Sequence, residues 1–493
     1  MPDVVWRLRL RLDLHHYQKE PMSVYPRVAS FKSFQAFTDY LKEIGVDLPC
    51  DESVASGDES PLGRSMDVDG VNVGNRFCIL PMEGWDGTND GAPTDLTVRR
   101  WRNFGISGAK WIWGGEAVAV RHDGRANPNQ LLMTEANLSA IEGLRNELMS
   151  AHEERFGRTD DLYVGLQLTH SGRWAKPNEK ATAEPRTAQR NPALDPRVKV
   201  TDDSAIISDD DLRRLIDDFI AAAVRAEKAG YRFVDVKHCH GYLGHELLSG
   251  VDRKGDFGGS FENRTRFVRD IVAGINAAAP SLKIGVRLSI YDFMPHHPGE
   301  DRVGEPVPGA DPRLVWGADP SGMGIDLDEP SKFLSLLESI GVKMVCTTAG
   351  SPYSTPHIQR PAYFPPSDGY LPPEDPLVGV ARQLRATAEL RRSHPGMTFV
   401  GSGYTYLQDW LPNVAQAVVR AGWVDSIGLG RMVLSYPELP ADVIAGVKQQ
   451  RKKVCRTFSE CTTAPRNGMI SGCFPLDPFY KAMPERKLVQ ALT

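Results

Sequence analysis

Eight short apolar or β-branched runs, separated by stretches of helical period, recur from residue 77 onward. This alternation constrains the chain more than any other feature in it. Strands that alternate with helices pair in parallel, and a parallel sheet is covered on its faces by its own helices. The runs are FCILP in the 78–82 region, AKWIWGGEA (109–117), LYVGLQL (162–168), RFVDVK (232–237), KIGVRL (283–288), VKMVC (342–346), MTFVG (397–401) and VDSIG (424–428). The clearest helical pattern follows Ser208, a good N-cap, and runs through Leu212, Leu215, Ile216, Phe219, Ile220 and Ala223 to stop at Gly230. A second runs from Phe261 to Ala279 behind Ser260, and others fall at 137–152, 328–340, 376–393, 407–422 and 437–452. Eight strands with eight helices close more naturally into a barrel than into an open sheet. The expected fold is α/β, a single (β/α)8 TIM barrel over residues 76–452. Residues 1–75 form an N-terminal extension with one helix at 34–44, and residues 453–493 a C-terminal segment.

Composition removes several classes of function. The chain has 493 residues and a formal net charge of -5. It has no basic field for nucleic acid, no basic tract for a membrane surface and no apolar run of spanning length. The expected partner is a small-molecule substrate. The opening MPDVVWRLRLRLDLHHYQKE alternates apolar and basic residues and lacks the apolar core of a signal peptide. It reads as a short strand or as an extension upstream of a start at Met22. Seven cysteines in such a length make no disulfide framework, so a cytoplasmic setting is expected.

In a βα barrel the loop after each strand lies on the C-terminal face, where active sites sit. Three long Pro/Gly-rich segments, 171–207, 294–325 and 350–376, follow strands and should form the walls and lid of a cavity there. Trp85 and Tyr353 are candidate substrate-pocket walls. Gln167 and Arg287 interrupt otherwise apolar strands. A cation at a buried strand end needs an anionic or electron-rich partner. The last two runs end in the glycine turns VGSGY (400–404) and SIGLGR (426–431). Backbone N–H groups after strands seven and eight build the phosphate site of many barrels, and Arg431 can pair with phosphate oxygens. The densest segment is VDVKHCHGYLGHELLSG (234–250). Lys237 and His240 can both reach the cavity, while alternation turns His238 away. The spacing of His238, Cys239, His240 and His245 matches no standard zinc pattern, so no metal is expected.

Four stretches carry a family resemblance: NRFCILPMEGWDGTNDGAPTD, YVGLQLTHSGR, DVKHCHGYLGHELLSGVDRKGDFGGSFENRTRF and SIGLGR. In order and spacing the chain resembles the old yellow enzyme family of FMN oxidoreductases, on the branch of 2,4-dienoyl-CoA reductase and trimethylamine dehydrogenase. The resemblance implies FMN across the barrel mouth, with Pro81, Met82 and Glu83 lining the ring and Ala117 touching it. It implies Gln167 on the pyrimidine edge, Arg287 near N1 and the C2 carbonyl, and Ser402, Gly403, Gly430 and Arg431 around the phosphate. His240 matches one of the pair of donors that holds the substrate carbonyl, and Tyr242 matches the proton donor. Two positions depart from the family. Lys237 stands where relatives carry histidine or asparagine, and Glu83 where they carry cysteine or threonine. A carboxylate there opposes the reduced flavin anion and would lower its potential.

The implied activity is hydride transfer from NAD(P)H, through flavin N5, to an activated alkene or similar electron-poor acceptor. Amine dehydrogenation or demethylation on the same flavin is the alternative. From another class comes a barrel lyase using Lys237 as a Schiff base, and a flavin-binding protein without a reaction is a further reading. Iron–sulfur members of the branch bind a cluster through four cysteines. Cys455, Cys461 and Cys473 match three positions, Phe458 fills the other, and a complete cluster is not expected. Those members carry a second nucleotide-binding domain after the barrel, and none is expected here.

Overall fold

The computed structural model describes residues 25–492, so the expected features of residues 1–21 lie outside the described residues. Eight parallel strands form a ring. They are β1 (Phe77–Ile79), β2 (Trp111–Ile112), β3 (Tyr163–Thr169), β4 (Phe233–Val236), β5 (Lys283–Ser289), β6 (Met344–Thr348), β7 (Thr398–Gly401) and β8 (Ser426–Leu429). Each pairs with the next, and β8 pairs with β1 through Ile427–Phe77 to Leu429–Ile79, which closes the barrel. The expected second strand, 109–117, is split. After Ile112 the chain breaks away and resumes pairing with β3 as Ala117–Ala119. Gly114 makes this passage close against β3: a Cβ there would lie 2.7 Å from the Gln167 amide nitrogen.

The helices after the eight strands are α1 (Asp95–Gly105), α2 (Leu138–Phe156), α3 (Asp209–Lys228), α4 (Arg266–Ala278), α5 (Asp328–Ser339), α6 (Pro376–Ser393), α7 (Leu411–Arg420) and α8 (Leu439–Ile444). Helix α3 forms as its pattern predicts. Ser208 accepts from the Asp211 amide at 3.1 Å, three aspartates occupy the first turn, and Leu212, Leu215, Ile216 and Phe219 are buried. Helix α1 has no counterpart among the expected patterns. Its buried face is mixed, combining Thr97 and Arg100 with Trp101 and Phe104.

Three expected helices are corrected. The 261–279 pattern breaks at Thr265 into Phe261–Arg264 and α4. The 407–422 pattern begins as a 3-10 stretch, Tyr404–Trp410, which Gln408 interrupts at φ 51° before α7 starts. The 437–452 pattern yields only α8, because residues 445–448 are exposed and offer no face to bury.

The lower barrel is packed solid. Cys78, Trp111, Trp113, Tyr163, Phe233, Met344, Cys346 and Val400 form one cluster with Met66, Val68, Val71 and Val73. The last four belong to a hairpin, Met66–Val68 against Val71–Val73, that seals the N-terminal end. Each large side chain so buried contributes roughly 1.5–3 kcal/mol. The C-terminal segment folds back over the opposite end. Arg466 Nη2 donates to the Pro352 carbonyl at 2.7 Å, and the Ser471 amide donates to the Gly84 carbonyl at 2.8 Å. The helix Phe34–Glu43 lies against the outside of the barrel, with Phe37 stacked on Trp410 at 5.1 Å and Tyr40 donating to Asp375 at 2.5 Å. Among the described residues, no helix is long and apolar enough to cross a membrane.

Candidate active site

The strand C-termini open into a cavity of about 680 Å³, a size suited to a cofactor with a small substrate. All three long loops contribute to its wall, through Trp174 and Arg197, His296 and His297, and Tyr353 and Tyr370. The C-terminal segment adds Cys461, Thr462 and Arg466.

The floor is built on Asp235, which is fully buried on β4. Its carboxylate accepts from Gln167 Nε2 at 2.5 Å and from the Arg287 backbone amide at 2.6 Å. Burial outweighs these donors and raises the Asp235 pKa to about 6. Asp235 was missed by the sequence reading, because an acid inside a strand looks no different from one at a turn. The Arg287 side chain lines the cavity, is 6% exposed and, among the described residues, leaves Nε without a partner. Pro81, Met82 and Ala117 line the same floor.

A second group of cations lies where β7 and β8 end. Gly403 sits at φ +99°, and a Cβ there would meet the Gln383 side-chain amide at 2.2 Å. Ser402, Gly403, Gly430 and Arg431 all line the cavity, although the Ser402 hydroxyl donates to the Thr347 carbonyl at 2.5 Å. Arg431 leaves Nη1 unpaired. Beside it stands Arg360, from the third long loop, which sequence reasoning also missed. Arg360 Nη1 donates to Thr462 Oγ1 at 2.5 Å, while its Nε and Nη2 have no partner among the described residues. Burial, then Arg431 and Arg466, pull its pKa down to about 9. The buried Arg360 guanidinium and the half-buried Arg431 act on each other as like charges, which an anion beside them would balance.

The reactive end gathers residues from β1, β4 and the third loop. Tyr242 Oη donates to Glu83 Oε1 at 3.0 Å and lies 3.2 Å from Tyr353 Oη. Lys237 Nζ is 3.8 Å from the same Glu83 oxygen and sits 3.6 Å from the Tyr242 ring centroid. Burial raises the Glu83 carboxyl and lowers the Lys237 ammonium, each opposed by the other's charge. Burial, then Glu83, pushes the Tyr242 phenol well above its ordinary value. His240 adopts a left-handed φ of 65°, which turns its ring into the cavity 3.3 Å from Thr348 Oγ1 and 3.4 Å from Gln359 Nε2. Burial, then Arg287 and Lys237, hold it well below the usual histidine range and therefore neutral. Trp85 and Tyr353 are wall residues, and Tyr353 stacks on Trp174 at 4.4 Å.

His238 points away from the cavity, as alternation predicts. Its Nδ1 lies 3.0 Å from the Val236 carbonyl, its ring sits among Phe267 and Phe333, and burial brings its pKa down to about 4. Among the described residues, no group of three or more histidine, cysteine or acidic side chains is placed to hold a metal. Cys455, Cys461 and Cys473 are free thiols, and Phe458 packs against Phe364 at 5.6 Å.

The sequence profile described as the NADH:flavin oxidoreductase / NADH oxidase family matches residues 64–304. Through that region the chain is similar to the NADH:flavin oxidoreductase family. A curated NADH:flavin oxidoreductase of Gibberella zeae is 30% identical over 241 residues, 46% of this chain and 56% of that protein. An NADPH dehydrogenase of Clostridium acetobutylicum is 29% identical over 223 residues, 44% of this chain and 61% of that one. The chain thus matches less than two thirds of these curated relatives. An old yellow enzyme homologue of Zymomonas mobilis shares the fold with a TM-score of 0.55 and 19% identity, covering 80% of this chain and 96% of its own. The cavity suits FMN, the cofactor that this similarity implies. Its buried, unpaired nitrogens on Arg287, Arg360 and Arg431 are charge donors without acceptors, and the cofactor carries a polar ring edge and a phosphate.

Proposed function

We infer that the protein is an FMN-dependent NAD(P)H oxidoreductase that reduces small electron-poor acceptors such as activated alkenes. One observation carries this reading: a family barrel holds two separate sets of buried, unpaired arginine nitrogens in one cavity, at its floor and at the ends of β7 and β8. Arg431, Arg360 and the turns at Gly403 and Gly430 would hold the phosphate, and Arg287 and Gln167 the polar edge of the ring. Pro81, Met82 and Ala117 would line the ring. When bound, FMN supplies the carrier that takes hydride from one substrate and delivers it to the next.

The chain's own residues do the rest. His240, held neutral, offers one ring N–H to an acceptor's carbonyl or nitro oxygen, and Lys237 adds a cation beside it. The aromatic walls Trp85, Trp174 and Tyr353 exclude water. Tyr242 stands ready to give a proton to the carbon next to the one that receives hydride.

The test is the spectrum of the purified protein, followed by anaerobic mixing with NADH or NADPH and then with a cyclic enone. Flavin bands that bleach with the nicotinamide and return with the enone are expected. A colourless protein that takes up no added FMN overturns the reading. Bleaching by amines in place of NAD(P)H moves it to amine dehydrogenation, and trapping of a carbonyl substrate on Lys237 by borohydride moves it to a Schiff-base enzyme.

A further inference from the structure

Tyr242 is placed to give a proton, yet its surroundings forbid it to hold the charge that giving one leaves behind. It is 3% exposed, with a carboxyl oxygen 3.0 Å from its hydroxyl. A phenolate there would be desolvated and, once Glu83 is ionised, would face it, leaving the single Lys237 ammonium, 3.6 Å from the Tyr242 ring centroid, to balance two anions. Tyr242 can therefore give a proton only if it receives one in the same event. Its hydroxyl has two neighbours. Tyr353 Oη, at 3.2 Å, belongs to a half-buried phenol whose acidity burial also weakens. Glu83 Oε1 is the other.

We propose that Glu83, hydrogen-bonded to Tyr242 and paired with Lys237, is the group that returns a proton to Tyr242 whenever the acceptor takes one. The proposal rests on the alkene-reducing reading above and adds the proton path to it. In the step, hydride forms a C–H bond at one alkene carbon. The Tyr242 O–H, which the structure aims at Glu83 Oε1, turns to the acceptor, where it breaks and its proton joins the neighbouring carbon, while a Glu83 carboxyl O–H, donating to Tyr242 Oη in the reversed hydrogen bond, breaks and re-forms Tyr242 O–H. Glu83 is left as a carboxylate 3.8 Å from the Lys237 ammonium, which stabilises it until water at the cavity mouth returns the proton. The sum is one hydride and one proton added to the alkene, with the proton drawn from water. Burial favours the protonated Glu83 that the step starts from, and Lys237 favours the carboxylate that it ends on. Arg287, Asp235 and Cys239 also act on Lys237, and Arg466 acts on Tyr353. Glu83 acts through Tyr242 rather than on the acceptor itself.

The experiment uses the FMN-loaded protein, reduced with dithionite and mixed with a cyclic enone in H2O–D2O mixtures. Two protons in flight give a curved dependence of the oxidation rate on deuterium content. A linear dependence with enone reduction intact overturns the relay and leaves the functional reading standing. Failure to reduce the enone at all overturns both. In E83Q the ratio of enone to ferricyanide reoxidation rates should fall about 100-fold, because ferricyanide takes electrons without a proton. A purely positional role changes both rates together and keeps the ratio. In a Y242F background E83Q should lower the ratio no further; an additional fall sinks the idea that Glu83 works through Tyr242. Independently of turnover, an infrared pH titration of the protein should show a protonated carboxyl band that E83Q removes. A spectrum unchanged by E83Q overturns the proposal.

Discussion

At the residue scale, the site is governed by groups that burial holds away from their ordinary charge. Arg287→Met removes a guanidinium whose Nε has no protein partner. A hydrogen bond to a charged group contributes about 1.5–3 kcal/mol, so the FMN dissociation constant should rise roughly 10- to 100-fold, read by fluorescence titration of the apoprotein. Asp235 gives a pH signature. Its folded pKa, about 6, lies above its ordinary value of 3.8, so between those values the folded state keeps a proton that the unfolded chain has lost. Its contribution to stability falls as pH rises from 3.8 to 6, by roughly 3 kcal/mol in all. Denaturation of D235N across that window should lack this fall, and an equally steep fall in D235N would show that another group causes it. The positions of Lys237, Tyr242 and His240 were legible in one dense motif. The Glu83–Lys237 contact was not, because it joins the ends of β1 and β4 and no local pattern records which strand ends meet across a barrel.

At the element scale, the eight strands were legible because burial on both sides makes each a short, mainly apolar or β-branched run, even where Gln167, Asp235 or Arg287 interrupts it. The split of β2 was not, since AKWIWGGEA reads as one strand until β3 is seen crowding Gly114. Helix α1 escaped notice because Arg100 lies on its buried face, held by Asp86 and by Glu116 at 2.5 Å. The turn after β7 carries a sharper test. Gly403→Ala forces a side chain into a left-handed conformation and against Gln383, a strain of about 1–3 kcal/mol. The variant should unfold at lower temperature and bind FMN more weakly, the second if the turn backs the phosphate as proposed above. Thermal melts with and without FMN separate the two effects.

At the scale of the whole molecule, a barrel sealed by a hairpin at one end is covered at the other by its own C-terminal segment. That segment holds Arg360 through Thr462 and lines the cavity with Cys461 and Arg466. Ending the chain after residue 452 should leave the barrel folded, judged by far-ultraviolet circular dichroism, and speed FMN release about tenfold, the loss of one charge-assisted contact. An unchanged release rate would mean that the cover contributes nothing to holding the cofactor. The cysteine spacing of this segment was legible, but its place over the mouth was not, because short helices without a long apolar stripe do not say where they dock.

The contact between Glu83 and Lys237 also limits how this protein can have diverged. A chain with Lys237 but no acid at position 83 would carry a buried ammonium without its partner, a burden of about 3–5 kcal/mol, whereas Glu83 alone can stay protonated and neutral. The acid is therefore expected to come before the lysine or together with it. Among relatives, a lysine at the second position should travel with an acid at the first, and lineages that lose the acid should soon lose the lysine.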